Sequence, residues 1–314
     1  MKYIILFLVT LFSFASPSKF IKQNSYVIDP YNNCRITSES QGYGLLYAVL
    51  TNNKKLFDSI MHWTFAKMQR PDYLFAWHYN KGKIIDNNNA IDGDMFIAYS
   101  LLLAYKKWKK PLYLQNASNI IKNIKEYILE INSNYIILPA KYGFVKQNKI
   151  IIFPSYYIPF ILKEFYLFDK DQIWLETRKY FYKKFPKLLL TDKMNFDLLK
   201  KEIYPGIYAS MDVYRVILYT LLDQKNPKIF QNSFSEIYNF FQKNGYIPLK
   251  YNIRSQIQTK KESPYCVYHL FYILYSDKRM LIKYDKLKKI DKNNYFCEFL
   301  EFFLKDKKWQ NRLF

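Results

Sequence analysis

Apolar positions along this chain recur mostly at intervals of three and four residues, and the segments so patterned follow one another with short gaps. Gly42–Leu50 and Leu56–Met68 read as two helices parted by the turn Thr51-Asn52-Asn53. Met95–Trp108 is a strong helical block ended by Pro111, and Tyr113–Ile131 reads as another. Tyr156–Phe168 follows Pro154, with Pro159 expected in its first turn, where a missing amide donor does no harm. Ile173–Leu190, Asp212–Leu222, Ile229–Lys243, Tyr265–Tyr275 and Tyr295–Leu304 complete the series. Tyr135–Pro139 and Ile150–Phe153 are strand-like, and their placement on either side of Lys141-Tyr142-Gly143-Phe144 predicts one hairpin. The expectation is an all-α chain with a small hairpin insertion. No linker rich in Gly, Ser or Pro divides it, so residues 16–314 are read as one domain. Periodicity alone leaves a bundle, a solenoid and a helical toroid open.

Composition narrows the function classes. The chain has 314 residues, 50% hydrophobic and 20% aromatic, which supplies a large core and excludes a disordered chain. Its formal net charge is +22, but the lysines are spread along the sequence instead of gathered in a block. Lys, Ile, Asn, Tyr and Phe are abundant together, as AT-rich coding produces, so the charge is read as compositional. No nucleic-acid motif accompanies it, and no nucleic-acid partner is expected. Cys34, Cys266 and Cys297 allow at most one internal disulfide. With His62, His78 and His269 scattered and no C-x-x-C pair, no metal site is expected.

The N-terminus has the form of an export signal. Met1-Lys2 precedes an apolar run from Tyr3 to Phe14, and Ser13-Phe14-Ala15 offers small residues for cleavage after Ala15. The run is short of the roughly 20 residues needed to span a bilayer. Residues 1–15 are therefore expected to be a signal peptide, and the mature protein to be periplasmic or secreted, without a transmembrane segment.

Three acidic segments stand out. Glu39 lies in Ser38-Glu39-Ser40-Gln41-Gly42-Tyr43-Gly44, where two glycines would let another chain or a ligand approach the backbone. Asp92 and Asp94 flank Gly93 at the mouth of the helix that runs to Trp108. Capping alone would explain an acid at either place, and the further oxygen ligands of a calcium loop are missing. Asp212 and Arg215 stand three apart on one helix face, the spacing of a local ion pair.

Together these segments resemble glycoside hydrolase family 8. The pattern A-x-D-G-D-x-x-I-A-x-S-L-L-x-A-x-x-x-W is matched by Ala90, Asp92, Gly93, Asp94, Ile97, Ala98, Ser100, Leu101, Leu102, Ala104 and Trp108. Ile91 departs from it, since a Ser or Thr is usual there. The pattern S-E-x-Q-x-Y-G is matched by Ser38, Glu39, Gln41, Tyr43 and Gly44. Further shared pieces are Val27-Ile28-Asp29-Pro30, Ala76-Trp77, Pro154-Ser155-Tyr156, Ser210 with Asp212 and Arg215, and Asn244-Gly245-Tyr246. Within the family the chain looks most like the periplasmic cellulases that accompany bacterial cellulose synthases. The resemblance implies an (α/α)6 barrel with a cleft across one end and hydrolysis of a β-1,4-glucan with inversion. By motif position it implies Glu39 as general acid, Asp212 as base and Asp92 as the residue that holds the sugar at the cleavage point. It implies no cofactor, a monomeric enzyme, and a cellulose-exporting complex as a partner in the cell.

Sugar rings stack on aromatic planes, so Trp77 and Tyr79 are expected to floor the cleft, with Tyr43 and Tyr156 as further candidates. Gln41, Asp94 and Arg215 are expected as polar substrate contacts. Trp63 and Trp108 lie among apolar neighbours at helical spacing and are assigned to the core. Xylan, mixed-linkage glucan and chitosan are alternative polymers, and polycationic chitosan is the poorest match to a +22 chain. A catalytically weak glucan-binding envelope module is the alternative from another class.

Overall fold

The computed structural model describes residues 17–30, 32–255, 258–291 and 294–305. The expected signal peptide lies outside the described residues. The helices in chain order are α1 (Ser38–Leu50), α2 (Lys54–Met68), α3 (Ile91–Trp108), α4 (Pro111–Lys125), α5 (Pro159–Asp169), α6 (Gln172–Lys184), α7 (Met211–Leu222), α8 (Ser235–Asn244), α9 (Tyr265–Tyr275), α10 (Lys278–Ile290) and α11 (Tyr295–Lys305). None is long and apolar enough to cross a membrane.

Odd and even helices divide the work. The odd ones are apolar on most sides and form an inner ring; α3, for example, buries an unbroken run from Ile91 to Leu102. Each odd helix packs on the next, and Tyr43 of α1 closes the ring on Phe299 and Phe303 of α11, with ring centroids 5.7 and 5.6 Å apart. The even helices bury one stripe each, and α2, α4, α6 and α10 back the inner helix that precedes them. This alternation is that of an (α/α)6 barrel. A disulfide between Cys266 and Cys297 ties α9 to α11.

Several boundaries differ from expectation for identifiable reasons. The helix expected to reach Ile131 ends at Lys125, and Ile128–Ile131 is a strand paired with Asn134–Ile137. Asn132 and Ser133 both take positive φ, which makes the tight hairpin turn that the helical reading overlooked. Consequently Tyr135–Pro139 does not pair with Ile150–Phe153. Lys149–Ile152 joins a four-stranded sheet between Val145–Lys146 and Met194–Asp197. The block Ile229–Lys243 is broken into 3-10 turns before α8. The helix α10 was not anticipated, because Met280 is its one buried residue and its apolar stripe is correspondingly faint. Pro159 does open α5 as its first residue.

The inner helices α1, α3 and α7 begin at the same end of the barrel, where their first turns line one cavity. Strands Ile36–Thr37 and Ala76–Asn80 enter that end, and Tyr208–Ser210 leads directly into α7.

Candidate active site

Glu39, Asp92 and Asp212 are each the second residue of an inner helix: α1, α3 and α7 respectively. A helix N-terminus presents free amides and a positive dipole end, so it suits a carboxylate. Two glycines bring the first pair together. A β-carbon on Gly93 would lie 2.3 Å from Ser38 Oγ and 2.7 Å from the Glu39 amide nitrogen. One on Gly42 would meet Phe96 Cβ at 2.6 Å. The missing side chains therefore let the first turn of α1 rest against that of α3, which sets Glu39 beside Asp92.

Arg215 joins all three acids. Its side chain is only 5% exposed, one turn into α7. Nη1 pairs with Glu39 Oε1 and lies 3.5 Å from Asp92 Oδ2, while Nη2 lies 3.6 Å from Asp212 Oδ1. Tyr43 donates its hydroxyl to the same Glu39 oxygen at 2.8 Å and meets the Tyr219 hydroxyl at 3.1 Å. The acids themselves differ in access: side-chain exposure is 25% for Glu39, 4% for Asp92 and 62% for Asp212. They line a cavity of about 180 Å3 with Arg35, Trp77, Phe153 and Tyr156. Larger hollows of about 500, 440 and 380 Å3 contain none of the three acids.

Burial governs the charge states. Asp92 is pushed up to about 7 chiefly by desolvation, with Asp212 adding to the rise and the Gly93 amide opposing it. Asp212 is also raised by desolvation. Arg35 and Lys193 pull the other way.

The remaining expected residues separate into two groups. Trp77 and Tyr156 do line the cavity. Trp77 lies beside Asp86 and helps hold that carboxyl below its ordinary value, while Tyr156 stacks on Phe153 at 4.8 Å and lies beside Asp92. Tyr79, Gln41, Asp94 and Tyr43 are buried and are not among the residues that line this cavity. Strand alternation would put Tyr79 on the same side as Trp77. A β-bulge between Ala76 and Tyr79 breaks that alternation and sends Tyr79 inward against Trp63. Gln41 holds the backbone of Val27, donating at 2.9 Å and accepting at 3.0 Å. Asp94 accepts from the Phe75 amide at 2.9 Å and from Asn89 at 3.1 Å, which anchors the strand that carries Trp77. Tyr43 lies beneath the cavity, against Glu39. Arg215, expected to orient Asp212 or touch sugar, lies against Asp212 on the cavity lining and meets Glu39 and Asp92 as well.

Arg35, Phe153, Asp192 and Lys193 were not anticipated from the sequence. Arg35 and Phe153 each lie within four residues of a recognised segment, Ser38-Glu39 or Pro154-Ser155-Tyr156, and proximity was the available signal. Asp192 and Lys193 lie in an irregular stretch with no pattern to mark them.

The open end of the inner helix ring thus gathers an acid set, a buried arginine and a wall of aromatic rings in one cavity. Comparison with known proteins gives the family. The profile of glycosyl hydrolases family 8 matches residues 16–305. The chain is 30% identical over 255 residues to an endoglucanase of Escherichia coli (strain K12), covering 74% of this chain and 69% of that protein. Among solved structures it is similar to an endo-beta-1,4-glucanase from Acetobacter xylinum, with a TM-score of 0.79 and 22% identity over 94% of this chain and 95% of that one. It is also similar to a beta-1,3-1,4-glucanase from Paenibacillus, with a TM-score of 0.73 and 21% identity over 93% and 86% of the two chains. This chain belongs to glycosyl hydrolases family 8.

Proposed function

We propose that the protein is an inverting endo-β-1,4-glucanase, exported from the cell and active on cellulose or a related β-1,4-glucan. The observation that carries this reading is the set of three carboxylates at three helix mouths, joined by Arg215 in one aromatic-walled cavity. Glu39 protonates the glycosidic oxygen as the bond from the anomeric carbon to that oxygen breaks. Both Tyr43 and Arg215 engage its Oε1, so Oε2 is the oxygen left to carry the proton. Asp212 takes a proton from water, and the water oxygen bonds the anomeric carbon from the opposite face. Glu39 ends ionised, Asp212 ends protonated, and solvent resets both. Asp92 holds the sugar at the cleavage point, and Trp77 and Tyr156 support neighbouring rings.

The guanidinium of Arg215 meets Glu39 and Asp212 through different nitrogens. A planar group between the two carboxylates supports the wider spacing of an inverting pair, roughly 6.5–9.5 Å, which leaves room for water. Export is supported by the leader-like residues 1–15 and by the Cys266–Cys297 disulfide, a bond that persists in oxidising compartments. The similarity to cellulases of cellulose-synthesising bacteria supports a place beside cellulose export.

The test is release of reducing ends from carboxymethylcellulose, xylan and chitosan by the purified enzyme. Carboxymethylcellulose should be cut fastest, and proton NMR should show the α-anomer appearing first. Equal or faster cleavage of chitosan would sink the substrate reading, and initial release of the β-anomer would remove Asp212 from the role of base. Mass spectrometry of the exported protein should find Ser16 at its N-terminus.

A further inference from the structure

Helix α7 lacks a cap of its own. Ser210 stands at its N-cap position but makes no side-chain bond to the first turn. The cap comes instead from Asp192, eighteen residues earlier. Its Oδ1 accepts from the Ser210 amide at 2.8 Å and the Val213 amide at 3.2 Å, and its Oδ2 accepts from Ser210 Oγ at 2.8 Å. Asp212 lies between the two amides so held. The loop that delivers Asp192 is itself built in. Leu190 donates to the Ser233 carbonyl at 3.2 Å, Asp192 donates to the Tyr208 carbonyl at 2.8 Å, and Thr191 Oγ1 accepts from the Gly206 amide at 2.8 Å. A β-carbon on Gly206 would fall 2.1 Å from the Lys193 carbonyl oxygen, so this packing needs glycine there.

A neutral Asn could keep both amide bonds through its single oxygen. A second carboxylate beside the base instead adds repulsion that is relieved when the base takes a proton. We infer that Asp192 is a positioning residue that both fixes the mouth of α7 and, by its charge, strengthens Asp212 as the proton acceptor of the reaction. The inference rests on the reading of Asp212 as base. Relief of repulsion occurs only as the proton arrives, so it favours the transition state over the ground state. Asp192 is mostly buried and is raised to about 6 by desolvation, with repulsion from Asp212 next in weight. It is therefore ionised at neutral pH. The other charges facing Asp212 are Arg35 ahead of α1, Lys193 in the same loop, Arg215 on α7 and Asp92 on α3. Tyr214 also faces Asp192, and burial keeps it neutral.

Asp192→Asn keeps an oxygen for the two amides, removes the charge, and requires the Ser210 hydroxyl to accept where it had donated. The acid limb of kcat/KM, which reports the free base, should then move down by about one pH unit, the scale of one nearby charge. On the plateau kcat should fall roughly three- to tenfold, with KM within about twofold of wild type. A second measurement does not depend on that variant folding. The carboxyl carbon of Asp192, followed by NMR, should titrate at lower pH in Asp212→Asn than in wild type, because coupling is reciprocal. An unmoved acid limb with wild-type kcat in Asp192→Asn, or an unmoved Asp192 titration in Asp212→Asn, would overturn the inference and leave Asp192 as a cap alone. Retention of near wild-type kcat by Asp212→Asn would instead overturn the reading of Asp212 as base.

Discussion

At the mouth of α1, Thr37 and Ser40 cap the helix reciprocally from within its own first turn. At the mouth of α7, a carboxylate from a distant loop does the capping. Both arrangements satisfy backbone amides, and both hold an acid at the second helical position. They differ in charge. Neutral hydroxyls cap the start of α1, while the guanidinium of Arg215 meets both Glu39 and Asp212. Asp212 shares its helix mouth with Asp192. Two helix mouths that carry an acid at the same position are thus built differently, with a neutral cap beside Glu39 and a charged one beside Asp212.

The sharpest way to break this comparison is to remove each acid and vary the leaving group. Glu39→Gln and Asp212→Asn should each lower kcat on a natural glucan by about 10²–10⁴-fold, the usual scale of general acid or base catalysis. An aryl cellooligosaccharide with a good leaving group needs no protonation, so it should restore much of the rate to Glu39→Gln and none to Asp212→Asn. The reverse pattern in steady-state assays would exchange their roles.

The third mouth, that of α3, offers a smaller effect on stability. Asp94 is completely buried and raised to about 8 by desolvation, against an ordinary value of 3.8. Its contribution is complete below the ordinary value and is lost as pH rises, because the unfolded chain ionises freely while the folded one resists until about 8. Asp94→Asn should flatten the decline of melting temperature between pH 4 and 8 measured by calorimetry. A decline as steep as that of wild type would show that Asp94 does not control it.

The smallest effect is expected at the α1 cap. Thr37→Ala should cost about 1 kcal/mol of stability while kcat stays within about threefold and the pH profile does not move. A shifted acid limb in Thr37→Ala would erase the distinction between a neutral cap and a charged one.

The sequence carried the helices whose buried faces are wide, and α9 matched its expected bounds, Tyr265–Tyr275. It carried less where one residue decides the outcome. The Asn132-Ser133 turn converts the end of an expected helix into a hairpin, and the bulge before Tyr79 reverses the facing of an aromatic ring. The acids Glu39, Asp92 and Asp212 were legible because each lies in a dense local pattern at a helix start. Asp192 was not, since its meaning lies in contacts with residues eighteen and more positions away. The burial of Gln41 and Asp94 was hidden for the same reason: polar side chains that brace a site and polar side chains that touch a ligand look alike in one dimension.

The repeated placement of an acid at the second position of an inner helix has an evolutionary consequence. The other three inner helices begin Pro159-Phe160, Tyr265-Cys266 and Tyr295-Phe296, so their second positions carry no acid. The barrel wall is built from the residues further along each helix. Reactive groups can thus be gained, lost or exchanged at six equivalent stations while the wall keeps its shape, and new specificities within this architecture need only a change at the stations and in the loops between them.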